Sequence, residues 1–170
     1  SYAMKQRIKI WADAETLYSL QQRFAYCFAS PNGSGYPAIL HAHPVTSSEP
    51  IMIDGPAGPL KAIPIPQVHG DITSLGYRFG NLAYSPDISD VPDSSIPLLQ
   101  GLEVWVVDAL RFTPHPNHFH VKRALEWIEQ LKPKRAILTH MTTDLDYEAL
   151  RRQLPEGVEP AYDGMVIELK

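Results

Sequence analysis

The stretch VHGDITSLGYRFGNLAYSPDISD, residues 68–90, decides how the rest of the chain is read. His69 is followed at once by Gly70, and Asp87 comes just beyond the apolar run Leu82-Ala83-Tyr84. Between them, Gly80-Asn81 has the composition of a tight two-residue turn joining antiparallel strands. The stretch therefore predicts a hairpin that returns His69 and Asp87 to one end. A hairpin needs neither residue, whereas metal or acid–base chemistry has use for both.

Outward from the hairpin, the pattern continues as alternating strands and helices. Glu103-Val104-Trp105-Val106-Val107 predicts a strand buried on both faces and stopped by Asp108. A helix is predicted to open at Asn117 or His118, with Val121, Ala124, Leu125, Ile128 and Leu131 on its apolar face, and to end at Lys132-Pro133. Arg135 to Thr139 predicts a short strand ended by His140, followed by a helix over about Asp146 to Leu154 and a last strand from Met165 to Leu169. Before the hairpin, Arg7 to Trp11 reads as a strand, and Asp13 as the N-cap of a helix running to about Ala29. Ile51 to Ile53 and Ala62 to Ile65 are short strands in a proline-rich, edge-like region. The order is that of an α/β fold.

The chain has 170 residues, 44% of them hydrophobic and 20% charged, with a net charge of −4. That is enough for one domain with a sizeable core. No run of apolar residues is long enough to span a bilayer, so no membrane partner is expected. Lys and Arg are dispersed, so nothing points to a nucleic-acid surface. The lone Cys27 cannot form an internal disulfide and fits a reducing, cytoplasmic compartment.

Polar residues stand where the strands end: Asp87, Asp108 and His140. Strand ends are where ligands gather in α/β folds. Taken singly, each reads as a turn or surface residue. Taken with His69, they offer imidazole nitrogens and carboxylate oxygens, the donors of a divalent-metal site. His69, Asp87 and His140 suffice for one metal and are too few for two. The cluster His115-Pro116-Asn117-His118-Phe119-His120 lies at a helix start, where backbone N–H groups favour anions. A histidine there could hold a phosphate or give a proton to a leaving oxygen; equally, Asn117 could cap the helix and leave the histidines exposed. His41 and His43 are read as non-functional.

Several passages, taken in order, carry a resemblance. They are Gln67-Val68-His69-Gly70, Ser74-Leu75-Gly76-Tyr77-Arg78, Leu82-Ala83-Tyr84-Ser85-Pro86-Asp87 and Val107-Asp108-Ala109-Leu110-Arg111. His115-Pro116-Asn117-His118, Ile137-Leu138-Thr139-His140-Met141 and Ala161-Tyr162-Asp163-Gly164-Met165 follow. Together they resemble the metallo-β-lactamase fold hydrolases, in the branch of the PhnP-like phosphodiesterases, which are related to ribonuclease Z.

The resemblance implies a fold and a set of roles. Residues 1–170 would be a single domain, the C-terminal portion of a four-layer αββα sandwich. His69 and His140 would be metal ligands and Asp87 the carboxylate bridging two ions. His118 would contact the scissile phosphate and assist the leaving group, with His115 beside the substrate. Asp108, Thr139 and Asp163 would stand close behind. The intact enzyme would hold two divalent ions, zinc or manganese, and hydrolyse a small cyclic or nucleotide-like phosphodiester through a metal-bridged hydroxide.

The family's His-x-His-x-Asp-His motif is absent from these residues. The expectation is thus of the later part of a longer enzyme, cut or continued before Ser1, with partial or no metal and inactive alone. It is expected to pair with its missing half or as a homodimer. Two other functions compete. One is ribonuclease Z-like processing of tRNA 3′ ends, disfavoured by the negative charge and by the lack of a long Gly- and Lys-rich insertion. The other is a non-catalytic module that binds a nucleotide or phosphate.

Overall fold

A computed structural model describes residues 6–33, 35–46 and 49–169, so the opening Ser1 to Met4 lies outside the described residues. The chain divides into two compact units, 1–49 and 50–170.

In the first unit, β1 (Ile8–Ala12) pairs in parallel with β2 (Leu40–Pro44), Ile8 opposite Leu40 and Ala12 opposite Pro44. Asp13 caps α1 (Ala14–Arg23) by accepting from the Thr16 amide at 2.9 Å and the Thr16 hydroxyl at 2.7 Å. The predicted helix to Ala29 breaks at Phe24 (φ −131°, ψ 39°), and a separate short α2 (Ala25–Phe28) follows. Leu17 is the one buried residue of α1, so little apolar burial holds the later turns in line. His41 and His43 sit on β2, ring centroids 4.5 Å apart, with Trp11 stacked on His43.

The second unit is built on a seven-stranded sheet whose strands follow sequence order. They are β3 (Ile51–Gly55), β4 (Gly58–His69), β5 (Ile72–Phe79), β6 (Leu82–Ser85), β7 (Val104–Asp108), β8 (Arg135–Thr139) and β9 (Val158–Pro160). β3 to β6 form an antiparallel meander, and β6 to β9 run parallel. Parallel neighbours need crossovers. These are a 3-10 turn at Asp93–Leu99, α3 (Val121–Leu131) and α4 (Tyr147–Gln153). Pro64 and Pro66 are tolerated because β3 pairs only with Gly58 to Ala62, which leaves the later half of β4 with a neighbour on one side.

The core lies between the sheet and its helices. Ile65, Ala83, Trp105, Val107, Ala136 and Leu138 from the sheet meet Val121, Ala124, Trp127, Ile128 and Leu131 of α3. Each large apolar side chain fully buried in this way contributes about 1.5–3 kcal/mol. The core-facing stripe of α3 includes Trp127, which the sequence pattern did not single out, and Leu125 is only partly buried.

Two further expectations are corrected. α3 begins at Val121, with His120 at the cap position and no side-chain cap, so Asn117 and His118 belong to the preceding loop. Phe119, fully buried in the core, holds that loop down and delays the first helical turn. Met165 to Leu169 form no strand, because the outer edge of β8 is already taken by β9. Among the described residues no helix is long and apolar enough to cross a membrane.

Candidate metal centre

Sheet direction alone brings the singled-out residues together. β4 runs the same way as β6, because both are antiparallel to β5, and β6, β7 and β8 are mutually parallel. Their C-terminal ends therefore share one edge. In register, Ser85 lies beside Val107 and Asp108 beside Thr139. His69 ends β4, Asp87 follows β6, Asp108 ends β7 and His140 follows β8. An added bridge between Val68 and Asp90 draws the loop after β6 back onto β4.

Ligand atoms of His69, Asp87 and His118 all lie within 4.8 Å of one another. His140 stands at the same place: its Nε2 is 3.7 Å from Asp87 Oδ1, and its ring stacks on that of His118 at 5.0 Å between centroids. The rings of His69 and His115 approach His118 at 4.7 and 5.1 Å. Asp87 (φ 47°) and His140 (φ 61°) both have left-handed backbones. That region is sparsely used by residues other than glycine and is often found at functional sites.

Two of the imidazoles, His69 and His118, are oriented from behind. His69 Nδ1 donates to the Asn117 carbonyl at 2.7 Å, which leaves Nε2 for the cluster. Gly70 makes this approach possible: its φ is 61°, and a Cβ there would run into the Asn117 side chain. His118 Nδ1 donates to Asp108 Oδ2 at 2.7 Å, so Nε2 is its remaining polar atom. Asp108 is fully buried. Burial raises its carboxyl above the ordinary range, while the His118 hydrogen bond and charge and the Ile88 amide act the other way. His115 accepts the Asn117 amide at Nδ1, and desolvation with the nearby Arg111 charge lowers its pKa.

Backbone bonds close a ring behind the site. The Ile88 amide donates to Asp108 Oδ2 at 3.3 Å, and the Phe119 amide donates to the Ile88 carbonyl at 2.6 Å. Phe119 follows His118, whose ring returns to Asp108. Thr139 takes part through its carbonyl, which accepts from the Ala109 amide. Asp163 sits in an exposed turn after β9 and bonds to none of these residues.

The donor set suits a divalent transition ion. Imidazoles held through one nitrogen with the other free, beside a carboxylate, are the ligands such ions take, and the partners behind them fix tautomer and aim. Sequence reasoning passed over Asn117 as an orienting group and gave no role to Gln67 or Ser74. Gln67 offered the clearest signal, a polar residue among the core positions of a strand.

A family model described as β-lactamase superfamily domain matches residues 2–141. A crystal structure of a diphosphatase of the PhnP family superposes with a TM-score of 0.83 at 35% identity, over 98% of this chain and 60% of its own. The short form of human tRNase Z superposes with a TM-score of 0.60 at 18% identity, over 98% of this chain and 68% of its own, a likeness of fold alone. An octanoyltransferase of Porphyromonas gingivalis (strain ATCC BAA-308 / W83) is 26% identical over 163 residues, 94% of this chain and 32% of that protein. The chain thus spans 60% of the length of the diphosphatase and about a third of the octanoyltransferase.

Proposed function

The chain belongs to the β-lactamase superfamily domain family and has the metallo-β-lactamase fold, and on that premise we propose that it carries part of the metal centre of a hydrolase acting on a small phosphodiester, cyclic or nucleotide-like. The observation that carries the reading is the convergence of His69, Asp87 and His118, with His140 beside them, on one sheet edge. In this reading His69, Asp87 and His140 hold a divalent ion, zinc or manganese. The complete enzyme holds two, with further ligands from outside these residues. A bound ion of this kind supplies Lewis acidity toward a phosphoryl oxygen and activates water near neutral pH.

The chain's own groups do the rest. Asp87, held at a fixed backbone angle, offsets the ion's charge. Asp108 holds His118 through Nδ1, so that His118 Nε2 is turned to pass a proton to the departing oxygen. His115, its pKa lowered, stands next to His118 as a neutral hydrogen-bonding group on the substrate side. The diphosphatase relative, at 35% identity, supports phosphoryl chemistry. The match to the octanoyltransferase takes in 32% of that protein, so its name does not by itself describe the matched part. Processing of tRNA is disfavoured by the net charge of −4.

The test combines metal analysis with hydrolysis. This chain is loaded with zinc or manganese, dialysed, and compared with His69→Ala. The natural full-length polypeptide is assayed on bis(p-nitrophenyl) phosphate and a 2′,3′-cyclic nucleotide. Retention of metal by the parent chain alone, with hydrolysis by the full-length protein, is the expected result. A metal-loaded full-length protein that leaves every phosphodiester intact refutes the proposal.

A further inference from the structure

Resting on the reading of Asp87 as a metal ligand, we infer that Gln67 and Ser74 are positioning residues, a two-residue clamp that sets the backbone of Asp87. Gln67 is 1% exposed in the middle of β4. Its Nε2 donates to the Pro86 carbonyl at 2.9 Å and to Ser74 Oγ at 3.3 Å. Ser74, its register partner on β5, passes its own hydroxyl proton to the Asp87 carbonyl at 2.7 Å. Every proton is used: both amide hydrogens of Gln67 and the single one of Ser74. The Ser74 lone pair that receives Gln67 fixes the direction of the relay.

The two carbonyls are the decisive choice. The Pro86 carbonyl belongs to the peptide before the Asp87 Cα and the Asp87 carbonyl to the peptide after it. Holding both planes sets φ and ψ together. The second plane is also held at its nitrogen end, by the Ile88 amide on Asp108. The outcome is φ 47°, a left-handed angle that few residues other than glycine adopt and that aspartate takes more readily than most, which the two held carbonyls make the fixed choice here.

Gly76 completes the device. A Cβ there would collide with the Gln67 amide and come within 2.8 Å of the Tyr84 carbonyl, so only glycine lets the amide lie across β5. Packing alone does not account for Gln67. Its Oε1 is buried without a partner among the described residues, a loss that a leucine would avoid. The polar side chain is explained by what its nitrogen holds.

The test uses Ser74→Ala, which removes one oxygen from a half-exposed position, with Ser74→Thr as the conservative rescue and Gln67→Leu as a second disruption. Two readouts are taken on this chain. In the metal-free state, NMR couplings and carbon shifts report φ at Asp87. Zinc alone is then titrated against a chromophoric chelator. Ser74→Ala and Gln67→Leu are expected to release Asp87 from the left-handed region and to weaken zinc uptake by about 10–100-fold, with Ser74→Thr near wild type in both. Retention of the left-handed angle in Ser74→Ala, or unchanged zinc affinity, overturns the clamp. If the wild-type chain itself takes no zinc, the reading that these residues hold an ion by themselves fails, and the Asp87 angle alone decides the clamp.

Discussion

Asp108→Asn tests the charge behind His118 without changing its shape. In wild type, Oδ2 accepts from His118 Nδ1 at 2.7 Å and from the Ile88 amide at 3.3 Å, and Oδ1 is buried with no partner. The asparagine oxygen can replace Oδ2, but a charge-assisted bond becomes a neutral one, a loss of about 1 kcal/mol. The NH2 then falls where Oδ1 was and leaves buried donors unpaired, at about 1–3 kcal/mol. Together these give a destabilisation of roughly 2–4 kcal/mol. Urea unfolding of the EDTA-treated protein measures it, followed by Trp105 and Trp127 fluorescence in a Trp11→Phe background so that the second unit alone reports. Nitrogen NMR of the His118 ring accompanies it and is expected to show the Nδ1 proton less firmly held. A change below about 0.5 kcal/mol, within the range of ordinary surface substitutions, would refute the reasoning. It would mean that Asp108 is carried neutral in the metal-free fold and that no charged bond orients His118.

Three further outcomes are expected. His140→Gly should be about 1 kcal/mol more stable than His140→Ala in metal-free thermal unfolding, because both lose the ring but only glycine is at ease at φ 61°; equal stability would show that the angle carries no strain. Gly70→Ala should cost about 1–3 kcal/mol and free the His69 ring, since the added Cβ meets both an unfavourable φ and the Asn117 side chain; denaturant unfolding with imidazole NMR checks it. Asp13→Ala should lose about 1 kcal/mol of helix stability near neutral pH. Burial of Asp13 disfavours its charge, but the Thr16 amide and hydroxyl outweigh it and lower its pKa. The cap's contribution is therefore present above the unfolded carboxyl's pKa and fades as pH falls through the lower folded value, so circular dichroism of the two proteins should converge in acid.

What could be read from the sequence was whatever local chemistry determines. The turn at Gly80-Asn81, the Asp146 cap of α4 and the apolar run of β7 each act over a few residues, and each element stands where its pattern put it. His69 and Asp87 meet because two short turns, Gly70-Asp71 and Gly80-Asn81, fold β4, β5 and β6 into a meander, where the single predicted hairpin had only the second of them. The start of α3 was misread because the burial of Phe119, a tertiary event, overrides the capping chemistry of Asn117. β9 is too short to show a period, and it occupies the edge that the better-patterned Met165 to Leu169 would have needed. At the site, strand ends marked the residues that face the cluster. The groups that aim them were hidden, because the Asn117 carbonyl contacts His69 from across the fold and no side-chain pattern encodes a backbone oxygen.

The closed circuit through His118, Asp108, Ile88 and Phe119 makes His118 and Asp108 one genetic locus in all but name. Ile88 and Phe119 enter it only through backbone groups, so side-chain substitution opens it at the other two positions, where a first change takes most of the loss and a second adds little. A scan of single changes would score those two alike, and the residue that faces the cluster would be indistinguishable from the one that only holds it. Pairs of changes expose the coupling: within the circuit their effects should fall well short of additive, while Lys134, which precedes β8 at the far end of that strand from His140, should combine additively with either.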